Sequence, residues 1–446
     1  MFRAADWKTY QAINERFAAA IDGELPDLSA PVFIQDYHLA LVAASLRRRR
    51  PEVRTALFWH IPWPHPDHLR ICPWRKEIVG GLLANDLLAF QLDRDRRNFL
   101  AAARDELGAE VSRNTARVGD RITTVYAVPI GVDYDRIQEM AREPSLEAEM
   151  SRLRTELRID TPLIGIGVDR LDYTKGIPER MDALDLLFRR RPDLRQQLTF
   201  VQIGVPSRSR IDSYAAVETA IDEKVAEINA RYPCGRESTP AGPAPESHPT
   251  TRATKAPILV KSAELVGWAL GELEREIVHT RGRGSRDRHA AVQGPVRYRK
   301  SALKGRRLVA LYRMATFCIV SSLHDGMNLV AKEFVAARED LNGVLVLSEL
   351  AGAAQELRDA VIINPHDVDG FADALEYAIE MSQMERSRRM RALRRVVAGR
   401  NVFGWASDIL EGLERLEPAV RPSAPGQLGR VVRAHRDARV APQRTR

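Results

Sequence analysis

The 446-residue chain is too long for one hydrophobic core, which usually stops growing near ~250–300 residues, so two domains are expected. Its make-up, 44% hydrophobic and 29% charged with 27 Gly and 25 Pro, excludes a collagen-like, coiled-coil or wholly disordered chain, and no run of ~18 apolar residues offers a membrane span. Of the net charge of +8, residues 418–446 carry +6 (seven arginines against Asp437), which leaves +2 for the rest. An excess confined to a Pro/Ala/Arg tail reads as a solvated, disordered terminus, with weak adhesion to polyanions as the other reading; no specific nucleic-acid partner is expected. The first residues lack the apolar core of a secretory signal. Cys72, Cys234 and Cys318 make no disulfide framework and fit a reducing cytoplasm.

In chain order, short β-branched or aromatic runs alternate with longer amphipathic ones, the pattern of parallel strands joined by helical crossovers. Val32–Asp36 is expected to be a strand, followed by a helix to about Arg50; Thr55–His60 is the next strand and Trp74–Leu83 the next helix. Asp86–Gln91 is a strand, a long helix runs through Leu107, and Thr123–Ile130 closes the block. After a helix near 145–157 a second series opens with the strand Leu163–Asp169, the helix Glu179–Arg190, the strand Leu198–Val205 and a helix over 209–230. Residues 234–294 break the rhythm with a Pro/Ser/Thr-rich start, a helix-like stretch at Ala263–Val278 and a basic Gly-rich piece, and read as a mobile insertion. The strand Phe317–Ser322, a helix from Leu329 and the strands Val344–Leu347 and Ala360–Asn364 resume the alternation. Helical runs at about 367–381, 384–399 and 403–416 follow. Two such blocks predict an α/β protein of two Rossmann-like domains facing across a cleft.

Ligands of open parallel sheets bind beyond the carboxyl ends of the strands, so polar residues there are the candidates. Asp36 ends a strand, where an acid can accept from sugar hydroxyls or cap the helix that follows. His60 ends another and leads into a proline-stiffened loop. With His65 and His68 it invites a metal reading, but the prolines forbid a regular helix and no acid or Cys joins at ligand spacing; no metal is expected. The run from Gly167 to Pro178 leaves a strand, turns at Gly176 and starts a helix with Pro178 near its first position. Arg170 and Lys175 then flank a helix N-terminus, where backbone N–H groups already favour an anion, and a diphosphate is the natural occupant. A surface salt-bridge cluster with Asp169 and Asp172 is the other reading. In the last candidate run Asp325, Gly326, Met327 and Asn328 form a turn after the Phe317–Ser322 strand, Leu329 and Val330 open a helix, and Glu333 stands a turn further on. Backbone N–H groups of such a turn can hold a phosphate or a sugar hydroxyl, and the carboxylate suits a ribose diol. No Walker-type glycine loop supports phosphoryl transfer.

Asp-Tyr-His-Leu at 36–39, His-Ile-Pro-Trp-Pro at 60–64, Asp-Arg-Leu-Asp-Tyr-Thr-Lys-Gly at 169–176 and Asp-Gly-Met-Asn-Leu-Val-Ala-Lys-Glu at 325–333 resemble, in this order, the trehalose-6-phosphate synthase family. These are retaining glycosyltransferases of the GT-B fold, similar in chemistry to glucosylglycerol-phosphate synthase, and the resemblance spans about residues 5–417 apart from the insertion. It implies a nucleotide-glucose donor, UDP-glucose, a sugar-phosphate acceptor, glucose 6-phosphate, and no cofactor or metal. By the resemblance Arg170 and Lys175 hold the donor diphosphate, the segment from Leu329 to Glu333 binds the same donor with Glu333 at its ribose, and Asp325 meets the glucose hydroxyls. His60 lies beside the donor sugar, Asp36 touches the acceptor, and Arg208 pairs with the acceptor phosphate.

The implied layout is an acceptor-side domain at 1–155 and a nucleotide-sugar domain at 156–400, interrupted by 234–294. A helix at 401–417 crosses back to the first domain, and 418–446 is the basic tail. Family members begin with a further strand and a glycine-rich loop, so the first domain is expected to be incomplete at its N-terminus. Pro295–Lys300 would resume the interrupted sheet. Glycerol 3-phosphate as acceptor, and a non-catalytic remnant that binds sugar nucleotide, are the alternatives; a homo-oligomer is allowed and a membrane partner is not expected.

Overall fold

The computed structural model describes residues 2–25, 30–207, 212–233 and 294–416. Arg208, Cys234, the insertion expected at 234–294 (Gly294 apart) with its helix at Ala263–Val278, and the tail 418–446 lie outside the described residues. Among the described residues, those up to Gly131, Asp325–Met327 and those from Gly404 pack as one unit, and Val132–His324 with Asn328–Phe403 as another.

In the first unit β1 (Val32–Gln35), β2 (Thr55–Trp59), β3 (Leu87–Phe90), β4 (Glu110–Val111), β5 (Thr115–Val118) and β6 (Arg121–Ala127) form one sheet in the order β1-β2-β3-β6-β5-β4. The first four are parallel, and β5 and β4 close the edge as an antiparallel hairpin. All residues of β2 and β3 are buried, the mark of a parallel sheet covered on both faces rather than of a half-solvated one. Phe90 and Phe99, the latter on the helix Asp93–Leu107, are fully buried against Trp63, each contributing ~1.5–3 kcal/mol. The helix Ala4–Glu24 was not foreseen, because it has no apolar stripe: the residues it buries are Asn14 and Ala18.

The second unit holds β7 (Leu163–Arg170), β8 (Leu198–Val205), β9 (Val296–Arg299), β10 (Phe317–Val320), β11 (Val344–Ser348) and β12 (Val361–Ile363), all parallel. Their order is β12-β11-β10-β7-β8-β9. The strand resumed after the insertion, β9, pairs with β8 as expected. Successive strands are laid down outward from β7 on one side and then outward from β10 on the other, so the direction of winding reverses between β7 and β10. Crossovers there leave in opposite directions and open a crevice at the carboxyl ends, where open α/β sheets bind their ligands. The helix Arg306–Met314, also not foreseen, buries Val309, Leu311 and Tyr312 beneath this sheet's flank.

Candidate functional site

In the second unit the candidate cations stand on the loop that leaves β7 at the reversal point. Arg170 ends the strand and is exposed. Asp172 fixes the turn Tyr173–Lys175, its Oδ1 accepting from the Thr174 N–H and hydroxyl at 3.0 Å each. Gly176, with φ 61, then opens the helix Ile177–Arg190, and Pro178 sits in its first turn. A side chain at 176 would need left-handed backbone and would run into the Ser321 carbonyl, so glycine is required twice over. That close approach ties the exit of β7 to the exit of β10. The Ser321 hydroxyl donates to the Gly176 carbonyl at 2.7 Å, and the Leu323 N–H to the Thr174 carbonyl at 2.7 Å. Underneath, the wholly buried Arg180 donates to Asp169 Oδ2 at 2.7 Å, Gln202 Oε1 at 2.8 Å and Ser321 Oγ at 3.1 Å. Asp169 therefore belongs to Arg180 and Asp172 to Thr174. In place of a surface salt-bridge cluster these acids build a fixed base for the loop that carries Arg170 and Lys175.

On the far side of the reversal, the chain leaving β10 passes through the buried Ser321 and Ser322 on its way to Asn328. Asn328, with φ 85, caps the helix Leu329–Ala337 by accepting from the Ala331 N–H at 3.1 Å. The opening turn of a helix presents N–H groups without intrahelical partners and the positive end of the helix dipole, so the turn of Leu329 and Val330 suits an anion. Glu333, one turn on, accepts from the Tyr312 hydroxyl at 2.8 Å. Burial, then the Glu333 charge, pushes the Tyr312 phenol well up, so it stays a donor at neutral pH. The neighbouring Lys332 is buried in an ion pair with Glu356 at 2.6 Å and serves packing. Tyr312→Phe is expected to cost ~0.5–1.5 kcal/mol of stability, which urea unfolding checks; parental stability would show that the Tyr312–Glu333 bond carries no net weight.

In the first unit Asp36 leaves β1 with φ 68 and ψ 172, a region essentially reserved for glycine and costing ~1–3 kcal/mol. Its N–H donates to the Phe58 carbonyl at 2.8 Å, and its Oδ1 accepts from the His60 N–H at 3.1 Å. It makes no side-chain cap on the helical turn Tyr37–Leu39, so the capping alternative does not hold. The first helix braces this turn: Tyr10 Oη donates to the Tyr37 carbonyl at 2.5 Å, Asn14 Nδ2 to the His38 carbonyl at 3.0 Å, and the Leu41 N–H to Asn14 Oδ1 at 3.0 Å.

His60 Nε2 lies 2.8 Å from Gln35 Oε1. With that oxygen as acceptor, Nε2 carries the proton and Nδ1 is the accepting nitrogen. Burial holds the imidazole below its usual pKa of about 6.5 against the pull of Asp36, so His60 is neutral at pH 7. Its ring stands 4.6 Å from Phe58 and 6.2 Å from Trp405 of the helix Val402–Glu414. Gly326 packs onto the same backbone, since a side chain there would strike the His60 carbonyl. Asp325 and the buried Met327 flank it.

The first unit thus gathers Asp36, His60, Asp325, Gly326 and Met327, and the second Arg170, Lys175, Asn328, Leu329, Val330 and Glu333. Arg208 lies outside the described residues. Gln35, Asn14, Arg180 and Tyr312 escaped the sequence reading. Gln35 alone carried a signal, its place beside Asp36 at a strand end. Among the described residues no group of three His, Cys, Asp or Glu could hold a metal ion, and no helix is long and apolar enough to cross a membrane.

The sequence pattern of glycosyltransferase family 20 matches residues 1–240 and 286–415. A trehalose-6-phosphate synthase of Mycolicibacterium smegmatis is 36% identical over 416 residues, 91% of this chain and 71% of that protein. That of Mycobacterium tuberculosis is 35% identical over 421 residues, 92% and 73% of the two chains. Among solved structures, an E. coli protein described as trehalose-6-phosphate bound with UDP-2-fluoro glucose superposes with a TM-score of 0.77 at 28% identity, covering 94% of this chain and 80% of the other. An alpha,alpha-trehalose-phosphate synthase (UDP-forming) of Burkholderia xenovorans in complex with glucose-6-phosphate gives 0.76 at 29%, covering 93% and 79%.

Proposed function

This chain belongs to glycosyltransferase family 20, and we propose that it transfers glucose from UDP-glucose to glucose 6-phosphate, giving trehalose 6-phosphate and UDP with retention at the anomeric carbon. The observation that carries this reading is the tie between the Lys175–Gly176 turn and Ser321. It sets a cationic loop and a capped helix N-terminus at the reversal point of one parallel sheet, a geometry suited to a nucleoside diphosphate.

In the step itself the bond from C1 of glucose to the β-phosphate oxygen breaks, and a bond from C1 to the acceptor hydroxyl oxygen forms on the same face. The acceptor proton passes to the departing phosphate, so no nucleophile of the protein is required. Arg170 and Lys175 stabilise the charge that builds on the leaving diphosphate. The amides of Leu329 and Val330 hold the same group, and Glu333, oriented by Tyr312, takes the ribose diol. Asp325 receives the glucose hydroxyls. Neutral His60 offers an acceptor nitrogen beside the donor sugar without adding a competing positive charge. Asp36, held in a strained conformation, receives an acceptor hydroxyl, and Arg208 grips the acceptor phosphate. The first unit thus supplies Asp36 to the acceptor and His60 and Asp325 to the donor sugar, the second supplies the diphosphate and ribose contacts, and a cytoplasmic setting suits both charged substrates.

Incubating the chain with UDP-glucose and glucose 6-phosphate should release UDP and yield a disaccharide phosphate whose anomeric proton couplings report retention. Turnover with glycerol 3-phosphate and not with glucose 6-phosphate would overturn the acceptor; turnover with neither would overturn the activity. Arg208→Ala is expected to raise the KM for glucose 6-phosphate roughly 10- to 100-fold, the worth of a charged bidentate pair, at unchanged KM for UDP-glucose. A change confined to the donor KM would refute its role.

A further inference from the structure

We propose that Gln35 is a positioning residue for glucosyl transfer: its side-chain oxygen accepts from His60 Nε2–H and so holds the imidazole in the tautomer that leaves Nδ1 as an acceptor. This rests on the transfer reading above. The sheet brings the two side chains together. β1 and β2 run parallel with Gln35 opposite Phe58. Side chains along a strand alternate between faces, so Phe33 and Gln35 of β1 share one face with Phe58 of β2, and His60, two residues beyond Phe58, continues the row. Trp405 covers this row, its ring 5.9 Å from Phe33, 5.0 Å from Phe58 and 6.2 Å from His60. The imidazole is thus walled by Phe58, at 4.6 Å, and Trp405. Gln35 Oε1, at 2.8 Å, is the ring's one hydrogen-bond partner among the described residues. The His60 backbone is held by other means, its N–H on Asp36 Oδ1 at 3.1 Å and its carbonyl against Gly326, so what Gln35 adds is the state of the ring.

A neutral imidazole has one donor nitrogen and one acceptor, and the partner of the first decides the role of the second. An acceptor opposite Nε2 keeps the proton there. With an apolar side chain at 35, Nε2–H would face hydrocarbon as an orphaned donor, and the ring sheds that cost by carrying its proton on Nδ1 instead. Nδ1 would then meet the donor sugar as a donor, in a place laid out for an acceptor. An amide suits this task better than a carboxylate, because it accepts without the negative charge that would favour an imidazolium. An amide turned end for end would offer its NH2 to Nε2 and reverse both roles, so the tautomer is the quantity to measure.

The test uses the full chain with isotope-labelled histidine, at about pH 8.5, about two units above the ordinary imidazole value, so that the ring is neutral in every protein compared. Ring carbon and nitrogen chemical shifts report the tautomer of His60, its signals being those that His60→Asn lacks. Steady-state kinetics with UDP-glucose and glucose 6-phosphate accompany them. The parent is expected to show the Nε2–H form. Gln35→Leu should move the proton to Nδ1 and lose about fivefold to fiftyfold in kcat/KM for UDP-glucose, with the KM for glucose 6-phosphate unchanged. Gln35→Glu, which keeps an acceptor oxygen, should keep the Nε2–H form and lose less than Gln35→Leu. A merely structural role would move neither the tautomer nor the order of the two variants. An Nδ1–H parent, an unaltered tautomer or parental kinetics in Gln35→Leu, or equal losses in the two variants overturns the proposal. So does a loss confined to the KM for glucose 6-phosphate, which would mean that position 35 acts through Asp36. Should the parent transfer no glucose, the activity reading falls and the tautomers still decide what Gln35 does: a shift in Gln35→Leu keeps its hold on the ring, and no shift refutes it. If Gln35→Leu does not fold, Gln35→Met replaces it; if neither folds, the parent's tautomer decides, Nε2–H supporting the proposal and Nδ1–H refuting it.

Discussion

Alanine at Arg170 or at Lys175 is expected to slow glucosyl transfer by ~2–4 kcal/mol, roughly a 30- to 1000-fold loss in kcat/KM, while thermal unfolding stays where it was. The leaving diphosphate gains charge as its bond to C1 stretches, and a cation fixed beforehand stabilises that charge without reorganising water. The loop carrying both residues keeps its shape without their side chains. Asp172 holds Thr174, Ser321 holds the Gly176 carbonyl, and Leu323 holds the Thr174 carbonyl. Arg170 is exposed, so its removal opens no cavity. The two cations act on one group, and the double variant should lose less than the sum of the single losses. Steady-state kinetics with calorimetry of UDP-glucose binding decides the matter: parental donor affinity in both single variants would mean that the diphosphate sits elsewhere.

The largest stability loss should come from a residue that touches neither substrate. Asp169→Ala strands the Arg180 guanidinium, wholly buried, with Gln202 and Ser321 as its remaining oxygen partners. Removing one partner of a buried ion pair costs ~3–5 kcal/mol, because the surviving charge stays out of water uncompensated. Arg180 Nη2 already lacks a partner among the described residues, so little slack exists to absorb the change. Ser321 is shared between Arg180 and the Gly176 carbonyl, and donor affinity should therefore fall along with stability. Replacing both members, Asp169→Leu with Arg180→Met, should recover much of the stability and little of the affinity, since the stranded charge is gone but the base of the loop is not rebuilt. Urea unfolding of the three proteins checks the order; equal stability for Asp169→Ala and the parent would show that the pair carries no net weight.

Strand ends and glycines were the legible part of this molecule. The apolar run before Asp169, the turn at Gly176 and the proline after it announce a strand, a loop and a helix start in order, because each obeys local rules. The residues that hold those pieces in place were not legible. Arg180 sits three positions beyond Ile177 on a helix rich in surface arginines, and nothing local tells it from Arg189 or Arg190; only the facing Asp169 and Gln202, on two strands, make it a buried ion. Tyr312 reaches Glu333 from a helix 21 residues earlier in the chain. Asn14 is hidden for the opposite reason: its helix turns a polar side inward, so hydrophobic periodicity misses both the helix and the residue. Sequence patterns record what each segment prefers alone, while these contacts record what distant segments require of one another.

The surroundings of His60 are drawn from segments far apart in the polypeptide. Its strand is made early, yet Trp405 packs edge-on to Phe58, and Gly412 leaves just enough room for Leu87 and Tyr126. A ribosome releases Phe58 and Trp405 more than three hundred positions apart, and Tyr126 and Gly412 nearly that far. The first sheet to be synthesised must therefore wait, with Phe58 and Tyr126 uncovered, until Trp405 and Gly412 have left the ribosome. Nascent chains arrested before residue 400 should accordingly expose that apolar face to chaperones, and full-length release should hide it.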